Sequence, residues 1–358
     1  MWRVWRLRRV RGVWRVSERS HLPPAMFLQF HVTRDCNLRC KHCYDPGARF
    51  TDGDELSTSE CSAVIKEFAS FLLLNGRPGV VYITGGEPLL RGDIDELLDT
   101  CRKFGMATRL LTNGTLIDDD VAEKLKASQV TAVQVSLDGL KETHDEIRGT
   151  GSYDKAVAGI RALVDKGIPV TVMTTAGRHN AKEIPALWSE CVKMGVRRLA
   201  FGRLVPTGRG EKLSDMVLTP NECLELFNSV RAFESKNNGG TEIVKRDPLW
   251  RMFDGRRHDD CTLSGCSIGL NGLCILQNGD VLPCRRLPIV LGNIRRESMY
   301  SIWTRSGLLE DLRERRLEGA CGSCALRTRC GGCRGIAHAT TGNLHAADPQ
   351  CFVKLLNR

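Results

Sequence analysis

Three closely spaced cysteines constrain this chain more than any other feature of its sequence. Cys36, Cys40 and Cys43 form the pattern C-x3-C-x2-C. They come directly after residues 27–33, an apolar and β-prone run that predicts a strand. Thiolates are the usual protein ligands of iron-sulfur clusters, and three of them leave one iron of a four-iron cluster without a protein ligand. A zinc site is the alternative for these cysteines taken alone.

Strand and helix signals alternate along the chain after this first strand. Six β-prone runs occur within about 180 residues, at 27–33, 80–84, 107–112, 132–137, 169–174 and 197–203. Helical stretches lie between them, and Ser57 and Glu60 form a capping box that opens the first helix. Alternating βα units predict an α/β fold with a parallel sheet. Eight such units close a full barrel, so six predict an open, partial one.

A glycine-rich turn follows the second predicted strand. It reads Gly85, Gly86, Glu87, Pro88. Adjacent glycines let the backbone approach a ligand closely, and the Glu87 carboxylate suits an ammonium group. A plain tight turn is the alternative for these four residues taken alone.

Together, the cysteine motif and the Gly-Gly-Glu-Pro turn one βα unit later resemble the radical SAM superfamily. Tyr44, directly after the third cysteine, fits the same resemblance. The resemblance implies a partial (β/α)6 TIM-like barrel and a 4Fe-4S cluster whose open iron binds S-adenosylmethionine, with the turn around the amino group of the cofactor. It also implies an electron from flavodoxin or ferredoxin, which cleaves the cofactor to a 5'-deoxyadenosyl radical that abstracts hydrogen from a substrate.

Further cofactor contacts are expected where the later strands end. Asn113 ends the third strand, while Ser136 and Asp138 end the fourth, and in similar enzymes the fourth-strand side chains approach the ribose. Arg148 resembles the arginine that meets the cofactor carboxylate. Turn capping is the alternative role for Asn113 and Asp138, and a surface salt bridge is the alternative for Arg148.

A second cysteine-rich region holds nine cysteines between Cys261 and Cys351. Its spacing resembles the SPASM extension of radical SAM enzymes, which binds two auxiliary 4Fe-4S clusters. By that resemblance the distal cluster is bound by Cys321, Cys324, Cys330 and Cys351, and the proximal one by Cys266, Cys284 and Cys333 with either Cys261 or Cys274. A zinc module is the alternative, but zinc-ribbon pairs are separated by about 15 to 20 residues, more than the gap between Cys324 and Cys330.

Two departures from the SPASM pattern bear on the substrate. In sulfatase-maturing relatives an aspartate base follows the cysteine that corresponds to Cys284, whereas here Arg285 and Arg286 follow it. A guanidinium stays protonated, so it is no base, but it binds carboxylates bidentately. Gly331 and Gly332 shorten the last cysteine gap to two residues, a form familiar from members that modify tetrapyrrole side chains.

Composition places the chain among ordinary globular proteins apart from its 16 cysteines. Their C-x2-C spacing favours metal clusters over disulfides, which together with the lack of an apolar secretion signal predicts a cytoplasmic protein. The net charge is +10, but seven arginines and one acid within residues 1–20 account for +6 of it. We expect no membrane span and no nucleic-acid partner. The isolated cysteines are expected to be core residues: Cys61, Cys101, Cys191 and Cys223.

The predicted organisation has four regions: a basic extension (1–25), a radical SAM core (26–205), a bridging region (206–260) and a SPASM domain (261–358). The leading functional prediction is a maturase that abstracts hydrogen from a peptide or protein side chain. The first alternative is modification of a tetrapyrrole carboxylate side chain. The second is a non-catalytic iron-sulfur electron-transfer protein, for which the Gly-Gly-Glu-Pro turn would have no purpose.

Overall fold

The structure is a computed structural model, and it describes residues 25–44, 54–236, 240–253 and 265–356. The predictions for the basic extension before residue 25 and for Cys261 as a cluster ligand lie outside the described residues. Within the part that the structure describes, no helix is long and apolar enough to span a membrane.

Strands and helices alternate through the first two thirds of the chain, as the sequence predicts. The described strands are β1 (Met26–His31), β2 (Gly79–Thr84), β3 (Ala107–Thr112), β4 (Ala132–Ser136), β5 (Val170–Ala176), β6 (Arg198–Arg203), β7 (Glu242–Val244), β8 (Gly272–Ile275), β9 (Asp280–Leu282) and β10 (Gly292–Asn293). The described α-helices are α1 (Thr58–Asn75), α2 (Ile94–Lys103), α3 (Asp119–Ala127), α4 (Lys141–Arg148), α5 (Ser152–Asp165), α6 (Ile184–Lys193), α7 (Pro220–Lys236), α8 (Met299–Arg305), α9 (Gly307–Glu314), α10 (Gly319–Gly322) and α11 (Arg334–Thr341).

All ten described strands belong to one sheet, in the order β10-β9-β8-β1-β2-β3-β4-β5-β6-β7. Strands β1 to β7 are parallel and adjacent in chain order. The α/β class and the partial barrel of six βα units are therefore confirmed. Strand β7 extends this run, although its three residues carry too short a pattern for the sequence to predict it.

The cysteine-rich region joins the same sheet, which the sequence does not predict. Strand β8 pairs in parallel with the free edge of β1, so that Gln29 lies beside Cys274. Strands β9 and β10 continue outward as antiparallel neighbours. The strand that leads into the first cysteine motif is thus hydrogen-bonded to the barrel on one side and to the cysteine-rich region on the other.

The two faces of the barrel sheet differ in character because side chains alternate along each strand. Leu28 and Phe30 of β1 are fully buried in the main hydrophobic cluster, which the surrounding helices complete. Gln29 lies on the opposite, lumen-facing side in register with Tyr82 of β2 and Arg109 of β3. The lumen is therefore lined by polar side chains, whereas the outer face of the sheet forms the core.

Several local predictions agree with the observed elements. Ser57 caps α1, with its hydroxyl accepting from the Glu60 N–H while the Glu60 carboxylate accepts from the Ser57 N–H. The four isolated cysteines are fully buried in the hydrophobic core, as predicted: Cys61, Cys101, Cys191 and Cys223.

Candidate active site

The first cysteine motif forms a loop at the carboxyl end of β1. Cys36 is exposed, Cys43 is half-buried and Cys40 is buried. The turn after β2 holds the start of this loop, because the Gly86 N–H donates to the Thr33 carbonyl (2.8 Å) and the Glu87 N–H to the Asp35 carbonyl (2.6 Å). The two sequence motifs are thus in direct contact.

The paired glycines are required by this contact between backbones. A Cβ on Gly86 would lie 2.2 Å from the Asp35 carbonyl oxygen, and one on Gly85 would lie 2.4 Å from the Thr33 carbonyl oxygen. Neither neighbour is a flexible side chain that moves easily. The sequence predicted close approach to a ligand, and the structure adds close approach to the cysteine loop. Pro88 follows as a buried residue that opens a short 3-10 turn.

Glu87 is fully buried, and its carboxylate points back into the protein. One oxygen accepts from the Thr112 hydroxyl at 2.7 Å, and the other from the Asn113 N–H at 2.8 Å. Burial raises the pKa of Glu87, while these hydrogen bonds oppose the rise. The carboxylate therefore joins the ends of β2 and β3, and its predicted contact with a cofactor ammonium stays a prediction.

Asn113 extends this network to the cysteine loop. Its side-chain amide donates to Asn37 Oδ1 at 2.8 Å, and Asn37 lies between the first two cysteines of the motif. The Asn113 Oδ1 accepts from the N–H and the hydroxyl of Thr115, which is the turn capping considered as its alternative role. Asn113 thus positions the loop, and its contact with the cofactor is untested.

Asp138 and Arg148 form a buried ion pair beside the cysteine loop. The Arg148 Nε donates to Asp138 Oδ2 at 2.6 Å, and its Nη1 donates to the Cys40 sulfur at 3.7 Å. Burial alone would raise the pKa of Asp138, but the Arg148 guanidinium and His42 hold it well below its usual range. Arg148 is only 10% exposed, so it is not the surface salt bridge of the alternative interpretation. A fixed positive charge therefore lies next to a sulfur of the motif.

His42, between the second and third cysteines, completes this cluster of charges. Its Nε2 lies 3.3 Å from Asp138 Oδ2. Burial lowers the pKa of His42 to about 4, although Asp138 opposes the shift. The imidazole is therefore neutral near pH 7. Ser136, the last residue of β4, is half-buried on the lumen side of the sheet, and its contact with the cofactor stays a prediction.

The cysteines of the second region fall into two neighbouring groups. Cys321, Cys324 and Cys351 interact electrostatically, and burial together with these neighbours raises the pKa of Cys351 to about 11. Cys333 lies near Cys266, and burial raises its pKa to about 11 as well. Thiols this reluctant to ionise become thiolates when a metal coordinates them.

The remaining cysteines of this region connect or adjoin the two groups. Cys330 interacts with Cys351 of the first group, while its carbonyl accepts from the Cys266 N–H of the second. Cys284 lies near Arg286, as does Cys333. Cys274 is buried inside β8 and packs with two leucines, Leu276 and Leu282. The ligand sets drawn from the SPASM resemblance stay predictions, and so does the choice between Cys261 and Cys274.

Neither a disulfide nor a preformed mononuclear metal site occurs in the described part of the chain. None of the described cysteines forms a disulfide. No three His, Cys, Asp or Glu side chains among the described residues lie close enough to bind a single metal ion.

Comparison with known proteins identifies the family. The family model "Radical SAM superfamily" matches residues 30–187, and the SPASM model, an iron-sulfur cluster-binding domain, matches residues 266–325. The AdoMet-dependent heme synthase of Nitratidesulfovibrio vulgaris is 31% identical over 348 residues, which cover 93% of each chain. This chain belongs to the radical SAM superfamily.

Other similarities span the same enzyme class. The mycofactocin maturase MftC of Mycobacterium tuberculosis is 31% identical over 335 residues, covering 90% of this chain and 82% of the relative. The crystal structure of Streptococcus suis SuiB bound to S-adenosylmethionine superposes with a TM-score of 0.72 at 19% identity, over 92% of this chain and 77% of SuiB. At that identity the superposition shows a shared fold.

The chain is thus a radical SAM enzyme with a C-terminal SPASM domain, and the predicted iron-sulfur clusters and S-adenosylmethionine are confirmed as its cofactors. The residues present fit this chemistry, because three thiols lie on one loop and a guanidinium hydrogen-bonds to one of them. The individual cofactor contacts, the number of auxiliary clusters and the domain boundaries stay predictions.

Several residues to which the sequence analysis assigned no role also shape this radical SAM site. The Arg209 side chain donates to the Cys40 carbonyl at 3.0 Å, and its N–H donates to the Cys43 carbonyl at 2.9 Å. His42 was overlooked although it lies inside the motif. Gln29 is 4% exposed, and a polar residue in the middle of a largely apolar strand is a sequence signal that could have been followed.

The mouth of the radical SAM barrel carries the two arginines that follow Cys284. Arg285 donates to Gln29 Oε1 at 3.0 Å, and its guanidinium lies over the Tyr44 ring at 5.6 Å. Arg286 lies over β6, with its Nη2 3.5 Å from the position that a Cβ on Gly202 would take. Neither arginine forms an ion pair with a described carboxylate. Arg285 thus reaches from the cysteine-rich region to a lumen-facing side chain of β1, and Arg286 reaches to β6.

Proposed function

We propose that this enzyme abstracts hydrogen from a carboxylate-bearing side chain of a tetrapyrrole, and that Arg285 and Arg286 bind the substrate carboxylates. The observation that carries the proposal is the placement of two guanidiniums between the cysteine loop and the auxiliary cysteines, neither of them in an ion pair with a described carboxylate. An arginine side chain binds a carboxylate through two parallel hydrogen bonds, so a substrate carboxylate suits each of these guanidiniums.

Gln29 belongs to the same proposed substrate site. Its Oε1 accepts from Arg285, while its buried Nε2 has no hydrogen-bond partner among the described residues. Buried amide N–H groups nearly always have an acceptor, so a substrate oxygen is the partner expected here. The Gln29 side chain thus both orients Arg285 and offers a further donor.

The relatives support this substrate class. The heme synthase that covers 93% of this chain is named for a tetrapyrrole product. Carboxylate recognition by bidentate arginines suits tetrapyrroles, because their propionate and acetate groups project from a planar ring.

In the proposed reaction the cofactors supply the radical, and the protein binds and positions the substrate. When bound, the cluster at Cys36, Cys40 and Cys43 and S-adenosylmethionine supply the radical that takes the hydrogen. The protein holds the substrate carboxylates at Arg285 and Arg286, and the barrel and the SPASM domain cover it. We also propose a flavodoxin or ferredoxin as electron donor, which the exposure of Cys36 supports.

Modification of a peptide or protein side chain is the second candidate. The mycofactocin maturase and the heme synthase have the same sequence identity to this chain, so peptide modification stays a candidate function. Under it, Arg285 and Arg286 would bind acidic side chains or a peptide carboxyl terminus.

The test is 5'-deoxyadenosine release by the reduced, cluster-loaded enzyme under anaerobic conditions. Iron-bound tetrapyrroles with free carboxylates are compared with their methyl esters and with a panel of short peptides. We expect release and a substrate mass change with the free carboxylates, and none above background with the esters, because the esters carry no charge for the arginines.

Four variants make this test specific. Arg285→Gln and Arg286→Gln are each expected to raise the substrate KM about tenfold to a hundredfold, the usual effect of losing one charged hydrogen-bonding partner. Arg327→Gln, an exposed arginine of the same domain, is the matched control and should leave KM unchanged. Cys36→Ala should lose about four irons and all cofactor cleavage. If peptides stimulate 5'-deoxyadenosine release and tetrapyrroles do not, the tetrapyrrole proposal is wrong and the maturase function is favoured.

A further inference from the structure

The barrel lumen holds a second cavity, whose lining includes none of the candidate active-site residues. It lies toward the amino ends of the strands and has a volume of about 290 Å³. Its charged and aromatic lining consists of Tyr82, Arg109, Arg198, Glu242, Lys245 and Arg246. The catalytic loop follows the carboxyl end of β1, so this cavity is distinct from the candidate active site.

The lining carries more positive charge than the nearby carboxylates neutralise. Glu242 pairs with Arg198 at 3.4 Å, and Lys245 pairs with Glu234 at 2.8 Å. Both acids are therefore already engaged. Arg109 and Arg246 form no ion pair with a carboxylate in the described part of the chain.

These two arginines converge on a single neutral group. Arg109 Nη1 donates to the Tyr82 hydroxyl at 3.3 Å, and Arg246 Nη2 donates to the same oxygen at 3.1 Å. Their guanidinium carbons lie 5.6 and 5.7 Å from the centre of the Tyr82 ring. Two cations held beside one phenol repel each other unless an anion lies between them.

Arg109 also presents a hydrogen-bond donor without an acceptor. Its Nε is buried and has no hydrogen-bond partner among the described residues. Buried N–H groups of a guanidinium are rarely left unsatisfied, and an oxyanion accepts two of them side by side. Gln134 and Thr171, on the same wall, offer further neutral polar contacts.

We propose that this cavity binds a small oxyanion, held by Arg109 and Arg246. Its volume is at the lower end of the range for ligand pockets, which suits a phosphate group or a short dicarboxylate. The site does not depend on the proposed substrate, because it uses none of the residues at the barrel mouth.

The test is isothermal titration calorimetry on the cluster-loaded protein under anaerobic conditions, at ionic strength held constant with chloride. Inorganic phosphate and succinate are titrated separately, so that the two sources of oxyanion are distinguished. Saturable binding of either supports the site and names its chemistry. Absence of saturable binding for both overturns the proposal.

The variants Arg109→Gln and Arg246→Gln are each expected to weaken that binding by about tenfold or more, since each removes one charged donor pair. Arg246 is exposed, so its replacement does not threaten folding and keeps the test decisive if Arg109→Gln misfolds. Arg161→Gln, an exposed arginine on α5, is the matched control and should bind as the parent does. Undiminished binding in Arg246→Gln would also overturn the proposal.

Discussion

Burial is the main cause of the lowered pKa values of the two histidines beside the cysteine loop, His42 and His144. His144 is fully buried, and its Nδ1 accepts from the Asp138 N–H at 3.1 Å. An imidazole that accepts at this nitrogen cannot also carry a proton there. Burial lowers the pKa of His144 to about 4, with Arg148 adding to the shift. Asp138, which forms the ion pair with Arg148, is thus oriented by a neutral histidine.

This geometry predicts a loss of stability in mild acid. The unfolded chain binds a proton at His144 below its ordinary pKa of about 6.5, whereas the folded chain does not until about pH 4, so stability falls as the pH drops through that window. From about pH 7.5 to 5.5 the loss should be on the order of 1 kcal/mol. We expect the urea midpoint of His144→Gln, measured anaerobically, to change less over this interval than that of the parent. Equal changes in both proteins would contradict the assignment.

At the scale of elements, the turn after β2 and the loop after β1 form one unit. Backbone hydrogen bonds from Gly86 and Glu87 hold the loop, and Asn113 from the end of β3 reaches Asn37 within it. Three consecutive strands therefore contribute to the position of the cysteines. This explains why residues expected to contact a cofactor are also used to build the site.

The substitution Gly86→Ala tests that coupling. Its Cβ would meet the Asp35 and Arg34 carbonyl oxygens at 2.2 and 2.5 Å, so the cysteine loop must move. We expect loss of about four irons and of S-adenosylmethionine cleavage, with the auxiliary clusters retained. Gly92→Ala, six residues later, is the control, because a Cβ there has no neighbour within 4 Å. Iron content and 5'-deoxyadenosine release measure both, and full activity in Gly86→Ala would refute the coupling.

Local patterns in the sequence were sufficient for the elements but not for the contacts between them. The observed β3 matches the predicted run, and the other five of the first six strands differ from prediction by one or two residues at their ends, because hydrophobic periodicity is a local signal. The inward direction of the Glu87 carboxylate depends on Asn113, 26 residues away. The β1–β8 pairing joins Gln29 to Cys274 across most of the chain. No local pattern encodes such partners.

At the scale of the whole molecule, one arginine joins the barrel to the cysteine-rich region. Arg203, at the end of β6, is fully buried and donates to Asp247 at 2.8 Å and to Asp348 at 2.9 and 3.1 Å. Asp348 accepts from the Cys333 N–H at 2.8 Å, and its own N–H donates to the Cys321 sulfur at 3.5 Å. The two groups of auxiliary cysteines are therefore both tied to Arg203 through one carboxylate.

We expect Arg203→Met to destabilise the protein by about 3–5 kcal/mol, because it leaves Asp247 and Asp348 buried without a counter-charge. The change should also lower auxiliary-cluster iron and alter the paramagnetic resonance spectrum of those clusters, while the cluster at Cys36 is retained. Arg197→Met, an exposed neighbour, is the control. Unchanged spectra in Arg203→Met would show that Asp348 positions the auxiliary cysteines without the Arg203 ion pair.

The pairing of β1 with β8 also has a consequence for how the chain is made. The two strands are about 245 residues apart in the chain. Because ribosomes add about 5–20 residues per second, one edge of β1 stays unpaired for on the order of ten seconds or more after its synthesis. An open strand edge is a template for aggregation during that time. The partners on the other edge, β2 and its glycine turn, emerge within the first hundred residues. The catalytic loop can therefore assemble on the nascent chain well before the auxiliary region exists, and we expect slower translation to lower the soluble yield.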